Sequence, residues 1–241
     1  MEYIKRSCSQ DEFSFLLFKH NITTTITQKY ILFSITKNAL SFNKKLSLGS
    51  CKNNIFLTTT LDELLEVYKL RSKIYAKLQY HREFPDIIDG LNFDVYDEHS
   101  AIIYTKKNGR INGTCRLIFD HHKDKLPIDK HYSLDYLRKD GKKLAELSRL
   151  VIDHESKGLS QEFKLLTQGT YCTMISNDIT NTVSVMSEEH YKWYDKFGGF
   201  SIEERFERYG NINKPFIITS WEVAKISIFF KKVFLSYSSF M

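Results

Sequence analysis

At 241 residues the chain suffices for one large domain or two small ones, and its 42% hydrophobic and 14% aromatic content excludes a mainly disordered protein. The formal net charge is +6, but the positive residues are interspersed with acids and no RNP, zinc-finger or helix-turn-helix signature accompanies them, so nucleic acid is not an expected partner. Four scattered cysteines with no C-x-x-C pair, and no run near the roughly 20 apolar residues of a membrane span, point to a soluble cytoplasmic protein with at most peripheral membrane contact.

Residues 1–56 read as an N-terminal extension packed on a main domain of 57–241. Within the extension, NITTTITQKYILFSI (21–35) is rich in β-branched residues and predicts one or two strands or a hairpin. TLDELLEVYKLRSKIYAKL (60–78) is the clearest helix: Thr60 and Glu63 form a capping box, and Leu61, Leu64, Leu65, Tyr68, Ile74, Tyr75 and Leu78 line one face. A long irregular segment follows over 79–100, of a length that is often functional. SAIIYTKKNGRINGTCRLIFD (100–120) predicts a hairpin turning at Asn108-Gly109. A short helix over 133–140 precedes the strand LAELSRLVID (144–153). A helix over 160–178 with Ser160 as N-cap, a strand over 182–187, a helix over 188–199 and strands over 200–210 and 215–223 complete the chain. A strand, helix and neighbouring strand in that succession imply a parallel crossover, and the whole order implies an α/β or α+β protein with a central mixed sheet.

Four polar groupings interrupt this apolar pattern. Arg71 and Tyr75 lie four apart on one helix face. Asp94 and Asp97 sit in NFDVYDEHS, Arg116 sits in INGTCRL, and Glu146, Ser148 and Arg149 sit inside LAELSRLV. Taken singly, each has a plain structural reading: loop caps for the aspartates, ion pairs for the mid-strand charges. Regular alternation along the strand puts Glu146 and Ser148 on one face and Arg149 on the other, where it can pair with Asp94 or Asp97. His121 and His122 are adjacent but have no third ligand in view, and no metal site is expected.

As an ordered set, R-x-x-x-Y, D-x-x-D, G-x-x-R-L and E-x-S-R resemble the GNAT-like acyltransferases that include acyl-homoserine-lactone synthases, and most closely their N-acyl amino acid synthase relatives. The resemblance spans about residues 60–200. It implies a GNAT-like fold: a twisted mixed sheet splayed into a V-shaped cleft, with helices on both faces. It implies acyl transfer from an acyl-carrier-protein thioester, or acyl-CoA, to an amine, with no permanently bound cofactor. By the same resemblance Arg71, Tyr75, Tyr80, Asp94, Asp97, Arg116 and Arg149 belong to the acceptor site, and Glu146 and Ser148 to the reacting strand. Tyr75 and Tyr80 stand where lactone synthases carry Phe and Trp, which fits an amino-acid acceptor better than S-adenosylmethionine. Tyr194 is placed where many members of the fold hold a tyrosine.

Aminolysis of a thioester needs a neutral amine, so a carboxylate must take the amine's proton. Glu146 is the expected base, backbone N–H groups of its splayed strand the expected oxyanion donors, and Tyr194 the expected proton source for the leaving thiolate. Ser148 lacks a G-x-S-x-G elbow and is not an expected nucleophile. The segment HESKGLSQEF (154–163) lacks the repeated glycines that cradle the CoA pyrophosphate, so a carrier-protein donor with a single phosphate is favoured, with Lys157 and Gly158 as its contacts. Two rivals remain: an acyl-homoserine-lactone synthase that uses S-adenosylmethionine, and a non-catalytic module that holds an acyl group or a carrier protein.

Overall fold

The computed structural model describes residues 10–49, 51, 54–121, 125–153 and 159–235. Seven strands form one mixed sheet: β1 (Ile55–Leu57), β2 (Ser100–Lys107), β3 (Arg110–Phe119), β4 (Leu144–Ile152), β5 (Asn181–Met186), β6 (Phe200–Phe206) and β7 (Phe216–Glu222), in the order β1-β2-β3-β4-β5-β7-β6. Every pairing is antiparallel except β4 with β5, which the crossover helix α5 (Gln161–Ser176) connects. That parallel pairing spans only Leu144, Ala145 and Glu146 against Asn181, Thr182 and Val183. Beyond Glu146, β4 continues on β3 alone while β5 continues on β7, so the sheet splays at its centre.

Each face carries its own core. On one side α1 (Gln10–Lys19), α2 (Ile26–Asn43) and α3 (Leu61–Lys77) pack with Ile102 and Tyr104 of β2. On the other, α5 and the closing helical turns α7 (Ile228–Phe230) and Lys231–Leu235 cover Ala101, Ile103, Cys115, Leu117 and Ala145. Two short helices complete the set: α4 (Asp135–Lys139), and α6 (Glu188–Tyr194), shorter than the 188–199 expected because the chain tightens into a 3-10 turn before Gly198.

The predicted hairpin, the α3 capping box and the Ser160 cap of α5 all form. The β reading of 21–35 does not hold, because Ile26–Asn43 is one helix. Thr25 and Gln28 cap it reciprocally, and its buried residues Leu32, Ile35, Thr36, Ala39, Leu40 and Asn43 recur every three or four positions. That helical period of burial outweighs the β-branched composition, which is only a weak local preference.

The last residue of α2 also completes the sheet. β1 covers β2 only from Ile103 to Thr105. Past its end the buried Asn43 amide donates to Ser100 O at 2.8 Å and accepts from Ile102 N at 2.9 Å, in place of a strand. Replacing Asn43 by the near-isosteric leucine leaves those two backbone groups buried and unpaired, and is expected to lower stability by about 2–4 kcal/mol in urea unfolding.

Candidate active site

The site grows from the way β4 departs from regular alternation. Arg149 adopts φ +53°, and the register to β3 shifts between Thr114 and Arg116, so β4 carries a bulge at this point. The expectation that Arg149 lies opposite Glu146 is therefore corrected. Ser148 and Arg149 both reach the α3 side, while Leu147 and Leu150 pack on the α5 side. The bulge spends one residue to aim two polar side chains in the same direction.

Asp94 and Asp97 receive them. Asp94 is the N-cap of the 3-10 turn Val95–His99: its side chain accepts from Tyr96 N, and Asp97 accepts from Asp94 N. The D-x-x-D spacing is thus a reciprocal cap, and its remaining lone pairs face three arginines. Arg71 Nη1 donates to Asp97 at 2.9 Å, and Arg116 Nη1 to Asp94 at 2.6 Å and Asp97 at 3.3 Å. Arg149 Nη2 donates to Asp94 at 2.9 Å, and Arg116 Nε to Ser148 Oγ at 3.1 Å. Burial opposes the charge on Asp94, but Arg116 and Arg149 outweigh it and hold its carboxyl well below the usual carboxylate range. Burial likewise opposes the charge on Arg116, and Asp94 and Asp97 keep it firmly protonated.

Three arginines against two aspartates leave one positive charge in excess. Among the described residues, Arg149 Nη1 and Arg71 Nε and Nη2 are buried and find no hydrogen-bond acceptor. The Arg149 guanidinium lies 4.6 Å from the Phe84 ring centre and 5.3 Å from that of Tyr75. Tyr80 packs into the same cluster with Leu70, Ile74 and Val151. Phe84 is a member that sequence reasoning missed, hidden in the irregular segment 79–100.

Glu146 stands on the same side, on the last paired residue of the splay. Its carboxylate accepts from Ile128 N at 2.9 Å and is nearly inaccessible. Burial pushes its pKa up to about 7, although the Ile128 N–H and Arg116 pull the other way. The turn that presents Ile128, Pro127–Lys130, is pinned by Arg138, which bonds Asp120, Asp129 and Asp135 at once. Arg138 was also missed, since its segment reads as scattered surface charge. Tyr209, in the β6–β7 connection, senses the Glu146 charge: burial first and then Glu146 raise its phenol to about 12. That connection closes on the 79–100 segment, with Asn211 N donating to Glu83 at 2.6 Å. Gly210 takes φ +54° there, a conformation that favours glycine, and lies against the Glu83 carboxylate.

Across the sheet, a narrow apolar crevice opens beside the splay, lined by Leu147, Leu150, Leu166, Tyr194, Phe200 and Trp221 among others. Tyr194 is half-buried at its edge, and desolvation raises its phenol above the ordinary value, so the hydroxyl stays protonated. The larger and more open depression lies by the hairpin turn, between Lys107, Arg110 and Glu162, away from the carboxylate cluster. Lys157 and Gly158 lie outside the described residues. The structure therefore gathers Arg71, Tyr75, Tyr80, Asp94, Asp97, Arg116, Glu146, Ser148 and Arg149 around one side of the splay, and Tyr194 on the other.

The splayed mixed sheet with helices on both faces is a GNAT-like acyltransferase fold. The family model described as "N-acyl amino acid synthase FeeM" matches residues 66–221, and the chain belongs to that family of N-acyltransferases. Solved structures share the fold. FeeM, an N-acyl amino acid synthase from uncultured soil microbes, aligns with TM-score 0.57 and 18% identity over 77% of this chain and 96% of its own. The acyl-homoserine-lactone synthase LasI aligns at 0.52 and 19%, over 77% and 96%. BjaI, a CoA-dependent acyl-homoserine-lactone synthase, aligns at 0.56 and 13%, over 78% and 90%. No curated protein sequence matches the chain.

Two stability measurements probe the site. Asp97→Ala strands Arg71, fully buried with Nη1 on that carboxylate, and is expected to cost about 3–5 kcal/mol in denaturant unfolding. Glu146→Gln should act in the opposite sense. A carboxyl raised from 4.5 to about 7 in the folded state costs nothing below pH 4.5, and its penalty grows between pH 4.5 and about 7 and is constant above that. The glutamine variant is therefore expected to match the wild type at pH 4.5 and to exceed it at pH 8, by an amount on the order of 2–3 kcal/mol, read from melting curves at the two pH values.

Proposed function

We propose that the protein is an N-acyl amino acid synthase that moves a fatty acyl group from an acyl-carrier-protein thioester to the α-amine of an amino acid. The observation that carries this reading is the arginine–aspartate cluster with one positive charge in excess and an unpartnered Arg149 N–H, set beside a carboxyl poised near pH 7. A guanidinium suits a carboxylate acceptor, because its planar fork matches the two oxygens. Tyr75 and Phe84 pack their rings on the Arg149 guanidinium, and Tyr80 joins the same cluster.

In the step itself the amine nitrogen attacks the thioester carbonyl carbon, and Glu146 takes the ammonium proton directly or through water. Past Glu146, β4 has no partner strand on its β5 side, so backbone N–H groups of 147–150 are available to the oxyanion. Collapse of the tetrahedral intermediate breaks the C–S bond, and the thiolate takes its proton from Tyr194, which Glu146 restores through solvent. Ser148 positions Arg116 by accepting from its Nε. The apolar crevice beside the splay suits the acyl chain. The carrier protein is favoured over CoA because HESKGLSQEF holds a single glycine and because a chain of net charge +6 attracts an acidic partner. The reducing cytoplasm, where carrier proteins are charged with acyl groups, is the matching compartment.

Purified protein incubated with fatty acyl carrier protein, or with the matching acyl-CoA, and a mixture of amino acids is expected to give an N-acyl amino acid by mass spectrometry. Product from S-adenosylmethionine instead, as an acyl-homoserine lactone, would move the assignment to the other branch of the family. No product from any acceptor, with carrier protein still bound, would make the chain a binding module. Because the base must be ionised, kcat/KM for the acceptor should rise with pH through about 7. Glu146→Gln should lose that inflection together with about 10²–10³-fold of rate.

A further inference from the structure

The N-terminal helices carry a surface that acyl transfer does not use. Residues 10–49 contain Lys19, Lys29, Lys37, Lys44 and Lys45 against Asp11 and Glu12 in the first turn of α1, so this one stretch holds +3 of the chain's net +6. The same stretch bears the largest group of exposed apolar side chains. Phe15 and Phe18 of α1 are 63% and 80% exposed, and Ile26 and Tyr30 of α2 are 77% and 64% exposed, with Ile31 beside them. Phe15 and Phe18 lie three apart, and Ile26 and Tyr30 four apart, so each pair occupies one outward helix face. Lys37 continues the α2 stripe, and Lys44 and Lys45 follow at its exposed end. Lys19 and Lys29 flank the aromatic tip, the first paired with Asp62 and the second bonded to Ser14. Gln28 Nε2 donates to Ile87 O, which joins this tip to the segment that closes the acceptor pocket.

We propose that the exposed face of α1 and α2 docks on an anionic lipid bilayer, with Phe15, Phe18, Ile26 and Tyr30 entering the headgroup region and the lysines lying against acidic lipid. Exposed aromatic and aliphatic side chains rimmed by lysines that outnumber the nearby carboxylates Asp11, Glu12 and Asp62 are the pattern of an interfacial helix pair. A second copy of the chain is the poorer occupant, since it would set five lysines against five. An acidic protein needs the charge but not four large apolar side chains left in water at a hairpin tip. The surface stands apart from the acyl-transfer reading, and its test does not require turnover.

The full chain is floated with vesicles of phosphatidylcholine alone and of phosphatidylcholine with about 30% phosphatidylglycerol, at low and high salt. The wild type is expected to float with the anionic vesicles at low salt, to float much less with neutral ones, and to be released by salt. Lys37→Glu/Lys44→Glu/Lys45→Glu and Phe18→Ser/Ile26→Ser should each lower the vesicle partition at least tenfold, given roughly fivefold per lysine beside an acidic surface. The charge-matched control Lys77→Glu/Lys139→Glu/Lys192→Glu should retain it. Circular dichroism and melting temperatures equal to wild type establish that each variant is folded. Wild type that stays with the soluble fraction, or binds neutral vesicles equally, overturns the proposal, as does a control that loses as much as the patch variants. Sedimentation showing a wild-type dimer that Phe18→Ser/Ile26→Ser dissolves would assign the face to self-association instead.

Discussion

Everything in the site depends on two aspartates that hold three arginines. Asp94 and Asp97 cap one short turn and accept from Arg71 on α3, Arg116 on β3 and Arg149 on β4. One helix, two strands and an irregular segment are thereby fixed to each other in a largely buried place. Buried ion pairs of this kind are a poor source of net stability, because desolvation offsets much of the attraction. Their value here is positional. They determine where the excess positive charge sits and how far it lies from the one carboxyl that burial keeps near neutrality.

That carboxyl shows how a common residue gains an uncommon property from its surroundings. Glu146 has one backbone N–H from Ile128 and no direct guanidinium partner among the described residues, while Asp94 nearby has two. Burial pushes the first up, whereas at the second Arg116 and Arg149 outweigh burial and hold the carboxyl down. Separation of two carboxyls by environment is what acid–base chemistry at neutral pH requires. The turn carrying Ile128 has its own clamp in Arg138, so the tuning of Glu146 extends to residues with no contact with the pocket.

Much of this was legible in the sequence, and the failures have physical reasons. The α3 cap, the Asn-Gly hairpin and the crossover around α5 follow from local chemistry that no tertiary contact contradicts. The polar residues of the site stood out because each interrupts an apolar pattern. The helix α2 was hidden because threonine and isoleucine favour strands locally, whereas its period of burial emerges only when a sheet lies beneath it. The face of Arg149 was misjudged because a bulge leaves no mark in a single sequence. Phe84 was missed because its irregular segment has no period to read, Tyr209 because its segment reads as the end of a strand, and Arg138 because its charge on a short helix reads as solvent-facing until folding sets Asp120 and Asp129 against it.

The amide of Asn43 has a consequence for solubility. A strand with open N–H and C=O groups is a template on which another chain can pair, and natural sheets blunt such borders. β1 is only three residues long and leaves the start of β2 open, and the end of α2 covers what β1 does not. A chain trimmed back to the start of β1 would keep the whole arginine–aspartate cluster but expose a hydrophobic border strand. Its first defect would be aggregation, before any loss of chemistry.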